Sequence, residues 1–194
     1  TIAPHEPFEV PYHRLPDKVE NAFACADLVF CLDFNTSSRL REMEPVLNAC
    51  TAPKIMIDHH PSPTVETILC VSHPELSSTS EMVFRIIWQM GGYEAMNKEC
   101  AQCIYCGMMT DTGGFTYNSR SPETYFIISQ LLAKGIDKDK IYRNVYWTYS
   151  EERLRLWGYI LYEKMNVVEG LHASWFTITR DDIKRFHFKK GDAE

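Results

Sequence analysis

Lys54-Ile55-Met56-Ile57-Asp58-His59-His60-Pro61 is the stretch on which the fold turns. A short apolar run introduced by Pro53 and stopped by a carboxylate and two imidazoles reads as a buried strand. Upstream, Leu28-Val29-Phe30-Cys31-Leu32 is a second such run, ending at Asp33. Between the two, Asn35-Thr36-Ser37-Ser38 offers capping side chains for a helix over about 38–49, with Leu40, Met43 and Leu47 on one stripe. Strand, helix and strand with short connections make a right-handed crossover unit, so the two strands are expected to lie parallel in an α/β fold with flanking helices.

Working outward, a short helix is expected over about 18–26 and a third apolar segment runs from Thr67 to Val71. Ser78-Thr79-Ser80-Glu81 has the capping-box pattern in front of a helix over about 80–90, which Gly91-Gly92 ends. Helices follow at about 96–108, 122–134, 138–147 and 151–165. Residues 167–179, rich in aromatic and β-branched side chains, read as paired strands, and the stretch from Lys189 to Glu194 is polar. The change of pattern near 166 predicts a first α/β domain over 1–165, with a helical linker from about 136, and the start of a second, α+β domain over 166–194.

Composition narrows the function. With 194 residues, 45% hydrophobic, 24% charged and no apolar run approaching the roughly 18–20 residues of a membrane span, the chain reads as globular and without a membrane partner. Lys and Arg number 20 against 26 Asp and Glu, a net charge of -6, which is the wrong sign for holding nucleic acid by blanket neutralisation of phosphates. A phosphate-bearing substrate would need bound cations. The seven cysteines are odd in number and irregularly spaced, so free thiols in a reducing cytoplasm are expected. Cys100, Cys103 and Cys106 fall on one predicted helix, where they wind partly round the cylinder with no fourth ligand in register, and are read as core-facing small residues. Tyr142, Tyr146, Trp147, Tyr149 and Trp157 are likewise expected to pack between helices.

The chemistry is expected where Asp33, Asp58-His59-His60 and Asp111 follow apolar segments. In open parallel sheets, residues just past the carboxyl ends of strands converge on one crevice. Carboxylates and imidazoles gathered there make a metal site, and mixed oxygen and nitrogen ligation suits Mn²⁺ or Mg²⁺ better than thiolate-seeking Zn²⁺. Two such ions about 3.5–4 Å apart can clamp an attacking water and a leaving oxygen in phosphate-ester hydrolysis. A lone Asp after a strand is more often a helix cap than a ligand, whereas adjacent histidines at a strand exit point to metal.

Asp33, Asp58-His59-His60 and Thr110-Asp111-Thr112-Gly113-Gly114-Phe115, at intervals of 25 and 53 residues, resemble successive motifs of the DHH phosphoesterase superfamily. Cys31-Leu32-Asp33-Phe34-Asn35 with Arg39, the Asp-Thr-Gly-Gly-Phe run and Leu154-Arg155-Leu156-Trp157-Gly158 resemble its bacterial oligoribonuclease and pAp phosphatase branch, the nano-RNases, which is exopolyphosphatase-related. The resemblance implies that Asp33 and Asp111 bridge two Mn²⁺ ions, with Mg²⁺ or Co²⁺ as substitutes, and that His59 ligates one of them. It implies that His60 faces the substrate phosphate while Asp58 orients the neighbouring imidazole, making Asp58 and His60 the catalytic pair. A metal-bridging water would be the nucleophile, and the substrate short RNA or pAp. Inorganic pyrophosphate or polyphosphate hydrolysis, and a non-catalytic nucleotide-binding role, are the alternatives. A homodimer remains open. The family's first metal motif has no complete copy here. His13-Arg14-Leu15-Pro16-Asp17 imitates half of it, only 16 residues before Asp33. The glycine-rich C-terminal substrate segment is also missing, so the chain is expected to be a portion of a longer protein and inactive alone.

Overall fold

The register of a three-stranded parallel sheet places everything that follows. The structure is a computed structural model describing residue 12 and residues 15–188. Strand β2 (Lys54–Asp58) lies between β1 (Val29–Leu32) and β3 (Leu69–Ser72), both parallel to it, with Leu32 opposite Ile57 and Asp58 opposite Ser72. The α/β reading and the parallel crossover therefore hold. The stretch around His13 and the polar stretch after Phe188 lie outside the described residues, whereas Asp17 sits in the first turn of α1 (Pro16–Ala24).

One sheet face is sealed by Cys31 and Met56 packing on Leu40 and Leu47, with Phe23, Val29, Met43 and Val65 at the margin. The other face is open at its edges: Phe30 is 56% exposed and Leu69 52%. The expectation of a strand buried on both faces is thus met by β2 and not by β1. Leu28 to Leu32 is apolar throughout, but an apolar run does not say how many elements cover its two sides.

The single helix expected over 38–49 is broken. Residues Ser37–Met43 form a 3₁₀ segment with Arg41 at φ +51°, and only Glu44–Ala49 (α2) is α-helical. Pro45 is the cause: it is at home in a helix's first turn and restarts the helix there. Leu40 and Leu47 still reach the core.

Two longer helices carry the far side of the site. α3 (Thr79–Gln89) starts on Ser78, whose hydroxyl accepts from the Glu81 amide at 3.0 Å. The predicted capping box is only half formed, because the Glu81 side chain bonds to Ser77 instead of returning to Ser78. α4 (Lys98–Asp111) buries Ala101, Ile104, Tyr105 and Met108. Cys106 is buried, but Cys103 is exposed, so the core-facing reading fails for that thiol. It lies roughly half a turn of the helix away from the buried stripe. All seven cysteines are free.

After α4, α5 (Pro122–Ala133) begins on Ser121, and α6 (Lys138–Tyr146) follows. The chain divides into two compact units, Thr1–Tyr142 and Arg143–Glu194. The division falls within the helical stretch expected from about 136 and not at 166. The second unit holds α7 (Glu151–Tyr159), a π-helical turn (Ile160–Lys164), the antiparallel pair β4 (Asn166–Val168) and β5 (Ala173–Trp175), and α8 (Arg180–Arg185). Thr179 and Asp182 form a complete capping box on α8, and Lys164 pairs with Asp182, holding that carboxyl well below the usual range. The aromatics expected to pack between helices are largely exposed, Trp147 to 68%. No helix among the described residues is long and apolar enough to cross a membrane.

Helices α3 and α4 meet at Gly107, where an added Cβ would overlap the Ser80 hydroxyl and stand 2.9 Å from the Ser80 Cβ. Gly107→Ala should therefore destabilise the protein by about 1–3 kcal/mol in denaturant unfolding. Ser80→Gly in the same background should recover part of it, with a coupling of about 1 kcal/mol in the double-mutant cycle.

Candidate metal centre

Asp33 follows β1 directly. Its amide continues the ladder to the Ile57 carbonyl at 3.2 Å, and its backbone then turns through φ +66°, a left-handed conformation that Asp tolerates better than most residues. The turn points the side chain into the crevice beyond the strands, where Oδ1 accepts a hydrogen bond from the Thr79 hydroxyl at 2.9 Å. Asn35 ties this turn to the loop after β2: its amide group donates to the Pro61 carbonyl at 2.8 Å, and its own carbonyl accepts from the Thr64 amide at 2.7 Å.

Asp58, the last residue of β2, is fully buried. His60 Nδ1 donates to its Oδ1 at 2.7 Å, while Oδ2 has no hydrogen-bond partner among the described residues. The Asp58 carboxylate thereby fixes the His60 ring with Nε2 as its remaining nitrogen. His59 is fixed from the opposite side. Its Nδ1 lies 3.3 Å from the Leu76 carbonyl, which can only accept, so Nδ1 carries a proton and, in the neutral ring, Nε2 keeps its lone pair. That Nε2 lies 3.7 Å from Asp33 Oδ1 and 3.9 Å from Asp111 Oδ2. The two imidazoles meet edge to face at 4.8 Å.

Asp111 reaches the crevice from the helix expected ahead of it. It is the final residue of α4. A carboxylate at a helix C-terminus is opposed by the helix dipole, and a nearby cation relieves the conflict. Burial, and then the Asp33 carboxylate, raise the Asp111 pKa, with His59 and His60 pulling the other way. The chain leaves α4 through a tight loop in which Gly113, Gly114, Phe115 and Asn118 all have positive φ. Buried Thr112 shapes it, donating to the Met108 carbonyl at 2.7 Å and accepting from the Phe115 amide at 3.0 Å.

All five residues singled out from the sequence thus belong to one cluster. Among the described residues, Asp33, His59 and His60 are the one group of three metal-ligating side chains whose donor atoms lie within 4.8 Å of one another. Oxygen and imidazole donors without thiolate suit a divalent cation of the Mn²⁺ or Mg²⁺ type, and the site fits such an ion. Sequence reading missed Thr79, Asn35 and the Leu76 carbonyl. Thr79 sits inside the Ser78-Thr79-Ser80-Glu81 pattern, where capping accounts for the residue types and hides a second task.

Residues 3–108 match the DHH family, N-terminal domain. The chain belongs to the DHH family. Within it, the chain is similar to the crystal structure of an exopolyphosphatase-related protein from Bacteroides fragilis, at TM-score 0.91 and 51% identity, over 94% of this chain and 54% of that one. It is 32% identical to an uncharacterized protein of Mycoplasma pneumoniae over 70% of this chain and 40% of the relative. It is 26% identical to a bifunctional oligoribonuclease and PAP phosphatase of Bacillus subtilis over 88% of this chain and 53% of the relative. The chain therefore spans about half the length of the relatives it matches.

The mutual repulsion of Asp33 and Asp111 is directly measurable. In metal-free protein, an NMR titration should place the Asp111 carboxyl above its ordinary value, and Asp33→Asn should lower it. A carboxyl raised on folding adds stability while it is protonated and loses it as pH climbs from the unfolded to the folded value. Metal-free Asp111→Asn should then melt higher than the parent at neutral pH.

Proposed function

We propose that this chain forms the metal-binding core of a Mn²⁺-dependent phosphoesterase that hydrolyses short oligoribonucleotides or pAp. The observation that carries the reading is the fixed His59 ring, whose Nε2 faces the carboxylates of Asp33 and Asp111. Those three side chains would hold the cations. Bound divalent ions would supply charge neutralisation at the phosphate and a water acidified to act as nucleophile near neutral pH. His60, braced by Asp58, would offer its free Nε2 to a phosphate oxygen, and Asp58 would keep that ring from turning. Thr79 would hold the Asp33 carboxylate in place. The second unit would be the opening of a substrate-binding domain.

The cavity beside His59 favours a nucleotide over the alternative substrate, a chain of phosphates. It encloses about 660 Å³, within the range of small-molecule sites, and its walls include Tyr117, Asn118 and Arg120 together with the carboxylates of Glu75 and Glu81. Tyr117, 55% exposed, offers a ring face to a base. Polyphosphate would demand several cations where the wall supplies the Arg120 guanidinium together with the Glu75 carboxylate. The exopolyphosphatase-related name of the Bacteroides fragilis neighbour keeps polyphosphate in the comparison.

The test is a parallel assay of pApA, pAp and polyphosphate with Mn²⁺ on the complete protein. Release of mononucleotide or phosphate from the first two, with little from the third, is the expected result. Asp33→Ala and Asp111→Ala should each fall below about a tenth of parental kcat, since loss of a metal clamp removes several kcal/mol of transition-state stabilisation. His59→Ala should lose Mn²⁺ in calorimetric titration, whereas His60→Ala should keep it and turn over slowly. Equal metal loss in both would show the division of labour between the rings to be wrong.

A further inference from the structure

Glu81 lies outside the donor cluster, yet it is connected to it. Its carboxylate is 1% exposed and fully engaged. Oε1 accepts from Arg85 Nε at 3.0 Å and Nη2 at 2.6 Å. Oε2 accepts from the Ser77 hydroxyl at 2.5 Å and the Ser77 amide at 3.3 Å, with the Thr124 hydroxyl at 3.5 Å. That Ser77 amide and the Leu76 carbonyl are the two ends of one peptide group, and the carbonyl end accepts from His59 Nδ1. A planar, resonance-coupled unit thus joins a buried carboxylate at its N–H to the metal-facing imidazole at its C=O.

We infer that Glu81 is a positioning residue which, through the Leu76–Ser77 peptide, holds His59 in the tautomer and orientation that present Nε2 to a divalent cation. Hydrogen bonding at the N–H polarises the peptide and leaves more negative charge on its oxygen, strengthening the acceptor for His59 Nδ1–H. A proton held at Nδ1 keeps Nε2 free, and a stronger acceptor behind the ring makes Nε2 the better ligand. Capping α3 does not need this side chain, because the Ser78 hydroxyl already serves the Glu81 amide. Burying a carboxylate is costly unless its oxygens are hydrogen-bonded, and here the two shorter bonds to one oxygen come from Ser77, with the Thr124 hydroxyl farther off. The inference rests on the reading of His59 as a ligand, and the experiment separates the two.

In metal-free protein at a pH where His59 is neutral, ¹⁵N NMR of the ring should show a protonated Nδ1 and an unprotonated Nε2. Glu81→Gln places an amide where only an acceptor fits; the ring should then become a mixture of tautomers, and Mn²⁺ affinity measured by calorimetry should fall about tenfold or more. Ser77→Ala removes the hydroxyl half of the same anchor and should move both readouts the same way by less; it decides the matter alone should Glu81→Gln fail to fold. Leu47→Val, a buried change in the core on the other side of the sheet, should lower stability without moving either readout. Parental ring nitrogens and parental Mn²⁺ affinity in the folded Glu81 and Ser77 variants, or equal changes in Leu47→Val, would overturn the inference. Absence of Mn²⁺ binding in the parent would overturn the metal reading, while the ring nitrogens would still report whether Glu81 sets the tautomer.

Discussion

Parallel pairing of Leu32 with Ile57 brings Asp33 beside Asp58-His59-His60, and every distance in the centre follows from that register. A shift of one residue would turn Cys31 and Met56, the packed pair on the sealed face, out of phase with each other. A shift of two residues would preserve the faces but move one strand exit by about 6.6 Å, which separations of 3.7 and 3.9 Å could not survive. The hydrophobic core on one side of the sheet thus determines the electrostatics at its end. Asn35 reinforces the register from outside the sheet by tying together the two loops that leave β1 and β2.

Around that fixed pair, the start of α3 supplies the fine adjustment. Leu76 orients His59, Thr79 braces Asp33, Ser78 begins the helix and Glu81 anchors the turn. Ser80 sits against Gly107 of α4, the helix that ends in Asp111. One turn of chain therefore touches three of the acidic and imidazole positions directly or through a neighbouring helix. Burial first, and then the Asp33 carboxylate, push the Asp111 carboxyl upward, so its charged form is held at a cost in the absence of a counter-charge. Such opposition between stability and function is common where ions are handled.

The central strand, the crossover and the identity of all five clustered residues were legible in the sequence. Apolar runs ending in Asp or Asp-His-His carry their own address, because strand ends in a parallel sheet share one crevice. Other features left no such trace. Leu76 acts through a backbone oxygen, which every residue possesses. Thr79 was masked by a pattern that capping explains equally well. The break at Arg41 followed from Pro45, a residue that suits a helix start as readily as it interrupts one. Exposure of Phe30 depended on what covers β1, a property of neighbours and not of the run itself. Asp111 belongs to the helix expected ahead of it, which runs on to include Asp111 instead of stopping near 108, because the break comes only at Gly113-Gly114.

The loop after Asp111 holds four left-handed residues within Gly113 to Asn118, braced by Thr112, Thr116 and Ser119. Left-handed backbone is rarely populated by an unfolded chain outside glycine, so its ordering entropy is spent when the protein folds. A molecule arriving at the cavity this loop borders meets a wall already set in shape. Association on this side would then draw little on the freedom of the protein, and selectivity would rest on rejecting molecules of the wrong outline instead of moulding itself around whichever arrives.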